Sequence, residues 1–452
     1  MKHKQLWLWL SLALGAGNSE FVTLNEKFGG IENIYAADYD AYIANGISER
    51  LAQRLADKSL TRANEIYAYC KKYGVGLLCF DESAFPMSLK SIKNPPALLY
   101  FMGELPDLNT SLCISMVGTR KMSEYGMRSA YKIAYEIASA GAVVVSGMAL
   151  GIDGVASCGA ISGGGKTVVV LGSGIDVIYP KEHTTLYRVI AHNGAIITEF
   201  APSTPPSGMN FPIRNRLISG LSQGTLVVDA DRDSGAMITA KNAILQGRDI
   251  YAVPGNINER NTSGTNMLIR DGAQAVLSGK DIIKNYAYIY RDSLNLLKLS
   301  QAEAHSDIDM RAVRDMEISL RYVKKSEKTN QNNTEGFAKK AEGESTIEDN
   351  IPMFAPPEKP KKTEKAKKKA STAKVDKPEQ KVAYTSDNSP EVLKGLSDKQ
   401  RRLFEAMPLD KPISVEALVN LGFSMGEIMA SLTVLEIKGL VSSLPGALYI
   451  RK

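Results

Sequence analysis

The sequence predicts an α/β protein: a parallel sheet with helices on both faces, a small helical domain before it and a compact helical unit with a short β signal after it. Three observations predict this. Apolar runs recur at Leu112–Val117, Ala142–Val145, Thr167–Leu171, Ala195–Thr198, Thr225–Val228 and Ile250–Val253. Helical patterning fills most of the gaps, as in Tyr125–Ala140 and Ala236–Gln246. The turns that follow the runs are rich in glycine and hydroxyl residues. Alternation of this kind gives right-handed βαβ units.

Five regions follow from patterning. Residues 1–75 read as short helices joined by glycine turns. Its first stretch, Met1 to Gly17, has the outline of a signal peptide, but Trp7, Leu10 and Leu14 recur at helical spacing and read better as a buried first helix. Residues 76–290 hold the sheet, and 291–323 read as a helical extension. Residues 324–392 are rich in Lys, Glu, Pro, Ser and Thr; such a composition buries too little apolar surface to offset ordering entropy, so a disordered basic linker is expected. Residues 393–452 regain helical periodicity.

Composition excludes several function classes. The chain of 452 residues carries a net charge of +6, and the stretch Glu358–Lys381, with 10 Lys against 4 acids, accounts for all of it. Any anion site on the folded body must therefore be a local cluster. Cys70, Cys79, Cys113 and Cys158 stand far apart, without a zinc-ribbon or disulfide framework, which suits a reducing compartment. The four His show no metal-ligand spacing, no run is long enough to span a membrane, and no metal or cofactor is expected.

The turns carry the chemistry. The first run leads into Gly118-Thr119-Arg120, the second into Ser146-Gly147 and Gly151-Ile152-Asp153, the third into Gly172-Ser173-Gly174 and then Tyr179-Pro180-Lys181. Glycine lets backbone approach a ligand, and helix starts present N–H groups to anions. A row of phosphate-sized pockets along one sheet edge is expected, with Arg120 and Lys181 supplying charge. Phe211-Pro212-Ile213-Arg214-Asn215-Arg216, ahead of a helix at Leu217–Gln223, adds two arginines and an amide; one arginine alternatively pairs with an acid of the body. Gly165-Lys166-Thr167 is no Walker motif, because Ala160 stands where its first glycine belongs and Lys166 opens a strand. Gly172-Ser173-Gly174 lacks the third glycine of a dinucleotide fingerprint. Asp153, Asp176 and Glu199 sit at strand ends and read as helix caps or arginine partners rather than as catalytic acids or bases, so no catalytic residue is assigned.

The stretch Val117–Ala275 resembles the DprA/Smf (DNA-processing protein A) family. The resemblance rests on Val117-Gly118-Thr119-Arg120, Gly151-Ile152-Asp153, Phe211-Pro212-x-Arg214-Asn215-Arg216, Gln246-Gly247-Arg248, Val253-Pro254-Gly255 and Gly264-x-Asn266-x-Leu268-Ile269. Leu396–Lys452 is similar to that family's winged helix; Ile413–Leu418 and Met425–Leu435 read as its helix-turn-helix, and Gly446–Ile450 as its wing. The would-be recognition helix, Met425–Ser431, holds no Arg or Lys, which argues against reading duplex sequence.

The resemblance implies a Rossmann-like domain, a helical (SAM- or helix-hairpin-helix-like) N-terminal domain and a cytoplasmic protein. It implies binding of single-stranded DNA, protection of incoming DNA, and help in loading RecA recombinase during natural transformation. It also implies a homodimer with contacts at Ile244 and Ile269, though by composition both residues read as core. Gly118, Thr119, Arg120, Ser146, Gly147, Lys181, Arg214, Asn215 and Arg216 are the expected nucleic-acid contacts, with Arg120 and Lys181 at the positions of the family's DNA-pocket arginine and lysine. The chain departs from the family at Ala156-Ser157, where Ala-His is usual, at His183, where Asn is usual, and in the glycine-rich Ala160–Gly165. The alternative from another class is a Rossmann-like nucleotide hydrolase that cleaves a base from a ribose phosphate. Val253-Pro254-Gly255-Asn256 departs from that enzyme family's Pro-Gly-Gly-x-Gly-Thr stretch.

Overall fold

The computed structural model describes residues 2–305, 307–315, 397–408, 413–414, 417–418, 423, 428, 431–432, 435, 440–444 and 448–451. They fall into two compact units, Met1–Pro360 and Lys361–Lys452. The expected linker, 324–392, lies outside the described residues.

The first unit is built on nine strands: β1 (Gly76–Cys79), β2 (Leu98–Gly103), β3 (Cys113–Val117), β4 (Val143–Ser146), β5 (Thr167–Val170), β6 (Gly194–Thr198), β7 (Gly224–Val227), β8 (Asp249–Ala252) and β9 (Gln274–Ala275). Their order is β1-β2-β6-β5-β4-β3-β7-β8-β9. All six runs predicted as strands are β3 to β8, and they pair in parallel, for example Ser115 with Val145 on one side and with Thr225 on the other. Two antiparallel edge strands, β1 and β2, were not read from the sequence; β2 joins through Tyr100 opposite Thr198. The chain steps outward from β3 to β6, then returns to the other side of β3 as β7. The order therefore reverses at β3, and the crevice above such a reversal is where open α/β sheets bind ligands.

Strand residues alternate between two cores. Ile114, Met116, Val144, Val169 and Ile196 belong to one; Val117, Val143, Val145, Val168 and Val170 belong to the other. A strand buried on both faces is apolar at most positions, and its few hydroxyls bond inside the sheet, as Ser115 does with Thr225 at 2.7 Å, so these runs show no polar period. Six helices, α1 (Lys2–Leu14), α2 (Phe21–Phe28), α3 (Ile31–Ala36), α4 (Tyr39–Ala44), α5 (Glu49–Ala56) and α6 (Thr61–Lys72), precede the sheet. Trp7, Leu10 and Leu14 of α1 are buried, as their spacing predicts. This region shares the first core with the sheet, where the Phe21 and Phe80 rings meet edge-on at 5.0 Å.

The remaining helices of this unit are α7 (Met87–Lys90), α8 (Glu124–Ser139), α9 (Ile152–Ser162), α10 (Thr184–Asn193), α11 (Asn210–Gly220), α12 (Gly235–Leu245), α13 (Ser263–Arg270), α14 (Gly279–Tyr286), α15 (Leu296–His305) and α16 (Met310–Asp315). Helices α8, α9, α10 and α14 line the first core; α7, α11, α12 and α13 line the second. The glycine-rich stretch after Ala156 has a packing cause. A Cβ on Gly159 would stand 2.4 Å from the Tyr131 carbonyl oxygen, and one on Gly163 2.6 Å from that of Tyr135, so α9 lies against the backbone of α8. Among the described residues no helix is long and apolar enough to cross a membrane.

The second unit opens with α17 (Asp398–Ala406), started by a capping box between Ser397 and Gln400. An antiparallel sheet follows: β10 (Ile413–Ser414), β11 (Val441–Leu444) and β12 (Leu448–Arg451), in the order β10-β12-β11. Its core gathers Leu403, Phe404, Leu418, Ile428, Leu432, Leu435 and Val441. The expected helix at Ile413–Leu418 needs correction. Ile413 and Ser414 form a strand, with Ile413 opposite Tyr449, and among the described residues of this stretch helix is present at Ala417 and Leu418. Most of the expected wing is strand β12, and Gly446 lies outside the described residues.

Candidate nucleic-acid interface

The loops at the carboxyl ends of β3 and β7 bound a groove of about 890 Å³. Gly118, Thr119, Arg120 and Lys121 form one bank; Asp231, Ser234, Gly235 and Arg260 line the other. The banks are braced from below. Thr119 N–H donates to the Asp229 carbonyl at 2.6 Å, and Ala230 N–H donates to Asn261 O at 2.6 Å. The buried Asp229 carboxylate accepts from Ser123 N–H at 2.7 Å and from Asn261 Nδ2 at 3.3 Å. Gly118 is required by space, since a Cβ there would meet the Ile152 side chain at 2.5 Å. Helix α12 begins at this rim, capped by Ser234 Oγ on Ala236 N–H, so its positive end faces the groove.

Arg120 is exposed, and its guanidinium lies 5.3 Å from the Phe211 ring centroid. The Tyr179 ring stands 5.6 Å from the same ring, and Phe211 is seated where any Cβ on Gly172 would be. This cation–π contact orients Arg120 without neutralising it. Lys181 is also exposed. It follows Tyr179 and Pro180, which share a small cleft with Arg120, but Lys181 lines neither this cleft nor the groove. His183, two residues on, is buried, with Nδ1 3.1 Å from Met148 O; burial depresses its pKa and leaves the ring neutral.

The Phe211–Arg216 cluster lies within α11, not ahead of a helix at Leu217. Pro212 is tolerated because it falls in the first turn. Residues two apart on a helix face in nearly opposite directions, and the two arginines accordingly separate. Arg216 turns away from the groove and pairs with Glu199 at 2.5 Å, so it does not extend a phosphate track. Arg214 is only 4% exposed; it donates through Nη1 to Gly147 O at 2.6 Å and to Val170 O. Asp153, also buried, lies beside it, and a Cβ on Gly147 would stand within 2.8 Å of both side chains. Burial holds the Arg214 pKa down at about 10 and the Asp153 pKa up at about 6, so both are charged at neutral pH. Asn215 lines the groove and accepts from Arg214 Nε at 3.1 Å.

Two further expectations need correction. Ser146 is sealed in the sheet, its hydroxyl donating to Met116 O at 2.8 Å. The amides of the glycine loops do not all face the groove: Gly147 N–H and Ala149 N–H donate to Asp153 Oδ2 at 3.1 and 3.4 Å. Charge along the groove therefore comes from side chains and the start of α12. Glu199 is an arginine partner as the sequence suggests, whereas Asp176, among the described residues, neither caps a helix nor meets an arginine and instead accepts from Ser203 N–H at 2.7 Å. Lys166 stands at the opposite end of β5, bonded to Glu104 at 2.6 Å. Burial pushes the four thiols up to about 12, far from a nucleophilic range. No group of three or more His, Cys, Asp or Glu among the described residues could hold a metal ion.

The sequence named Tyr179 only as part of a turn and did not single out Lys121 or the Asp231–Arg260 ion pair as parts of this site. The pair joins residues far apart in the chain, and only the meeting of the β7 and β8 loops brings them together.

Comparison with known proteins agrees with the earlier resemblance. A family model described as DNA recombination-mediator protein A matches residues 76–287, and one described as the DprA winged helix domain matches 387–447. The DNA processing protein DprA of Bacillus subtilis is 37% identical over 219 residues, 48% of this chain and 74% of that protein. Protein Smf of Synechocystis is 29% identical over 454 residues, 99% of this chain and 98% of that protein. The X-ray structure of DNA processing protein A from Streptococcus pneumoniae superposes with a TM-score of 0.56 at 29% identity, covering 63% of this chain and 98% of that one. The chain belongs to the DprA/Smf family of DNA-processing proteins.

Proposed function

We propose that this chain binds single-stranded DNA by capturing its phosphodiester backbone in the groove between the β3 and β7 loops. The observation that carries this reading is Arg120: an exposed guanidinium held on an aromatic ring at the rim of a groove into which a helix N-terminus points. Lys121 adds a second exposed cation on the same bank. Arg214 and Asp153 act beneath them as a buried brace, and Asn215 offers a polar floor. Lys181 extends the cationic edge outside the groove. We further infer a cytoplasmic protein without catalytic activity, whose role is to protect incoming strands and assist RecA loading in recombination; family membership supports this.

Binding of a single strand and of a duplex of equal length, each at two salt concentrations, tests the reading. Single-strand affinity is expected to exceed duplex affinity and to fall with salt as released counterions require. Equal or stronger duplex binding would overturn it.

A homodimer is part of the proposal. Ile244 does not lie in the core; it is 53% exposed on α12, beside exposed Leu245, while Ile269 on α13 packs partly against the second core. An exposed apolar patch of this kind suits a self-complementary contact. Ile244→Glu is expected to halve the mass measured by light scattering at micromolar concentration, and an unchanged mass would remove α12 from the interface.

A further inference from the structure

Phosphate capture alone does not distinguish single strands from duplexes, since both present phosphates. Two features of the groove's surroundings bear on that difference. Met209 is 77% exposed and Ile257 86% exposed, among the most exposed large apolar side chains described. Each belongs to a segment that supplies groove-lining residues: Gly208 and Phe211 flank Met209, and Arg260 and Asn261 follow Ile257. Neither residue lines the groove itself, and the Ile257 loop leads into the bank that holds Arg260.

Neither is exposed because its segment is loosely tied. The Ile257 loop is held by Thr262 Oγ1 on Asn256 O at 2.5 Å, by Asn258 N–H on Asn256 Oδ1 at 3.0 Å, and by Asn266 on both polar groups of Gly255. Beside Met209, Asn210 Nδ2 donates to Gly172 O at 3.0 Å and to Pro205 O at 3.3 Å. A single apolar side chain in water is ordinary; two on braced backbone beside one groove suit a ligand with apolar surfaces. The ligand whose phosphates fit the groove beside these segments carries such surfaces in its bases.

We propose that Met209 and Ile257 contact the faces of bases turned out of a single strand whose backbone lies in the groove, and so set the preference for single strands. In a duplex the base faces are stacked and out of reach, so these side chains gain nothing from it. Methionine suits this role because its unbranched, polarisable chain adapts to any base. The inference rests on the reading of the groove as a phosphodiester site and deepens it.

The test compares an oligothymidylate with an abasic phosphodiester strand of equal length, each titrated into the full chain. The unsubstituted protein is expected to bind oligothymidylate about tenfold more tightly than the abasic strand. Met209→Ser combined with Ile257→Ser is expected to remove most of that factor, with abasic binding and salt slope unchanged; Met209→Leu with Ile257→Met is expected to restore it. Equal weakening on both strands, or no weakening on either, would overturn the proposal. If the unsubstituted protein binds neither strand, the groove reading fails first and this inference falls with it.

Discussion

Arg120→Ala is expected to weaken single-strand binding by about 10- to 100-fold at low salt, because a charge-assisted hydrogen bond contributes roughly 1.5–3 kcal/mol. The loss should be similar for all sequences, since phosphates carry no sequence information. The plot of log affinity against log salt should flatten by about 0.7, the value for one phosphate contact on a single strand. Arg120→Lys separates charge from shape. It keeps the cation, and so most of the salt slope, but loses the planar fork and the seat on Phe211, so its affinity should fall between the two. Fold stability should hardly change, because Arg120 is exposed. Unchanged affinity of Arg120→Ala at both salt concentrations would remove the groove from consideration.

Arg214→Met is expected to produce the opposite pattern, a stability loss of about 3–5 kcal/mol, the range for breaking a buried charge pair from one side. The substitution leaves the Gly147 and Val170 carbonyls without their donor and Asp153 buried without its countercharge. Thermal and urea unfolding should both report the loss. Its pH dependence follows from the sign of the Asp153 shift. Folding raises this carboxyl from its ordinary 3.8 to about 6, so the fold holds its proton more tightly than the unfolded chain does. Stability then declines as pH rises through that window and levels off above it. Without Arg214 the decline should steepen and extend to higher pH. Adding Asp153→Asn should remove that slope and return part of the lost stability. A pH profile parallel to that of the unsubstituted protein would show that the two groups are not coupled.

Much of this molecule was legible in its sequence. The six parallel strands were found because a strand covered on both faces is apolar nearly throughout, and because glycine turns mark where most of them end. The antiparallel strands β1 and β2 were missed because β2 pairs with β6, far along the chain, and β1 joins the sheet through β2. Ile413 and Ser414 read as helix because a two-residue strand leaves no periodicity to detect. Ile244 read as core because composition does not say which face of α12 meets the sheet.

The candidate site divides along the same line. The local sequence determined which residue types end each strand, and so placed Arg120 and Lys181 at the carboxyl edge of a parallel sheet. It could not determine which polar groups stay available. Arg214 and Arg216 stand two residues apart and look equivalent on paper; one ties the loop after β4 to the end of β5 and the other closes an ion pair with Glu199. Ser146 and the Gly147 amide look like phosphate ligands until their partners, Met116 and Asp153, come into contact with them. The physical reason is that side-chain chemistry is set locally, whereas burial and hydrogen-bond occupancy are set by whatever packs nearby, and those neighbours come from distant parts of the chain.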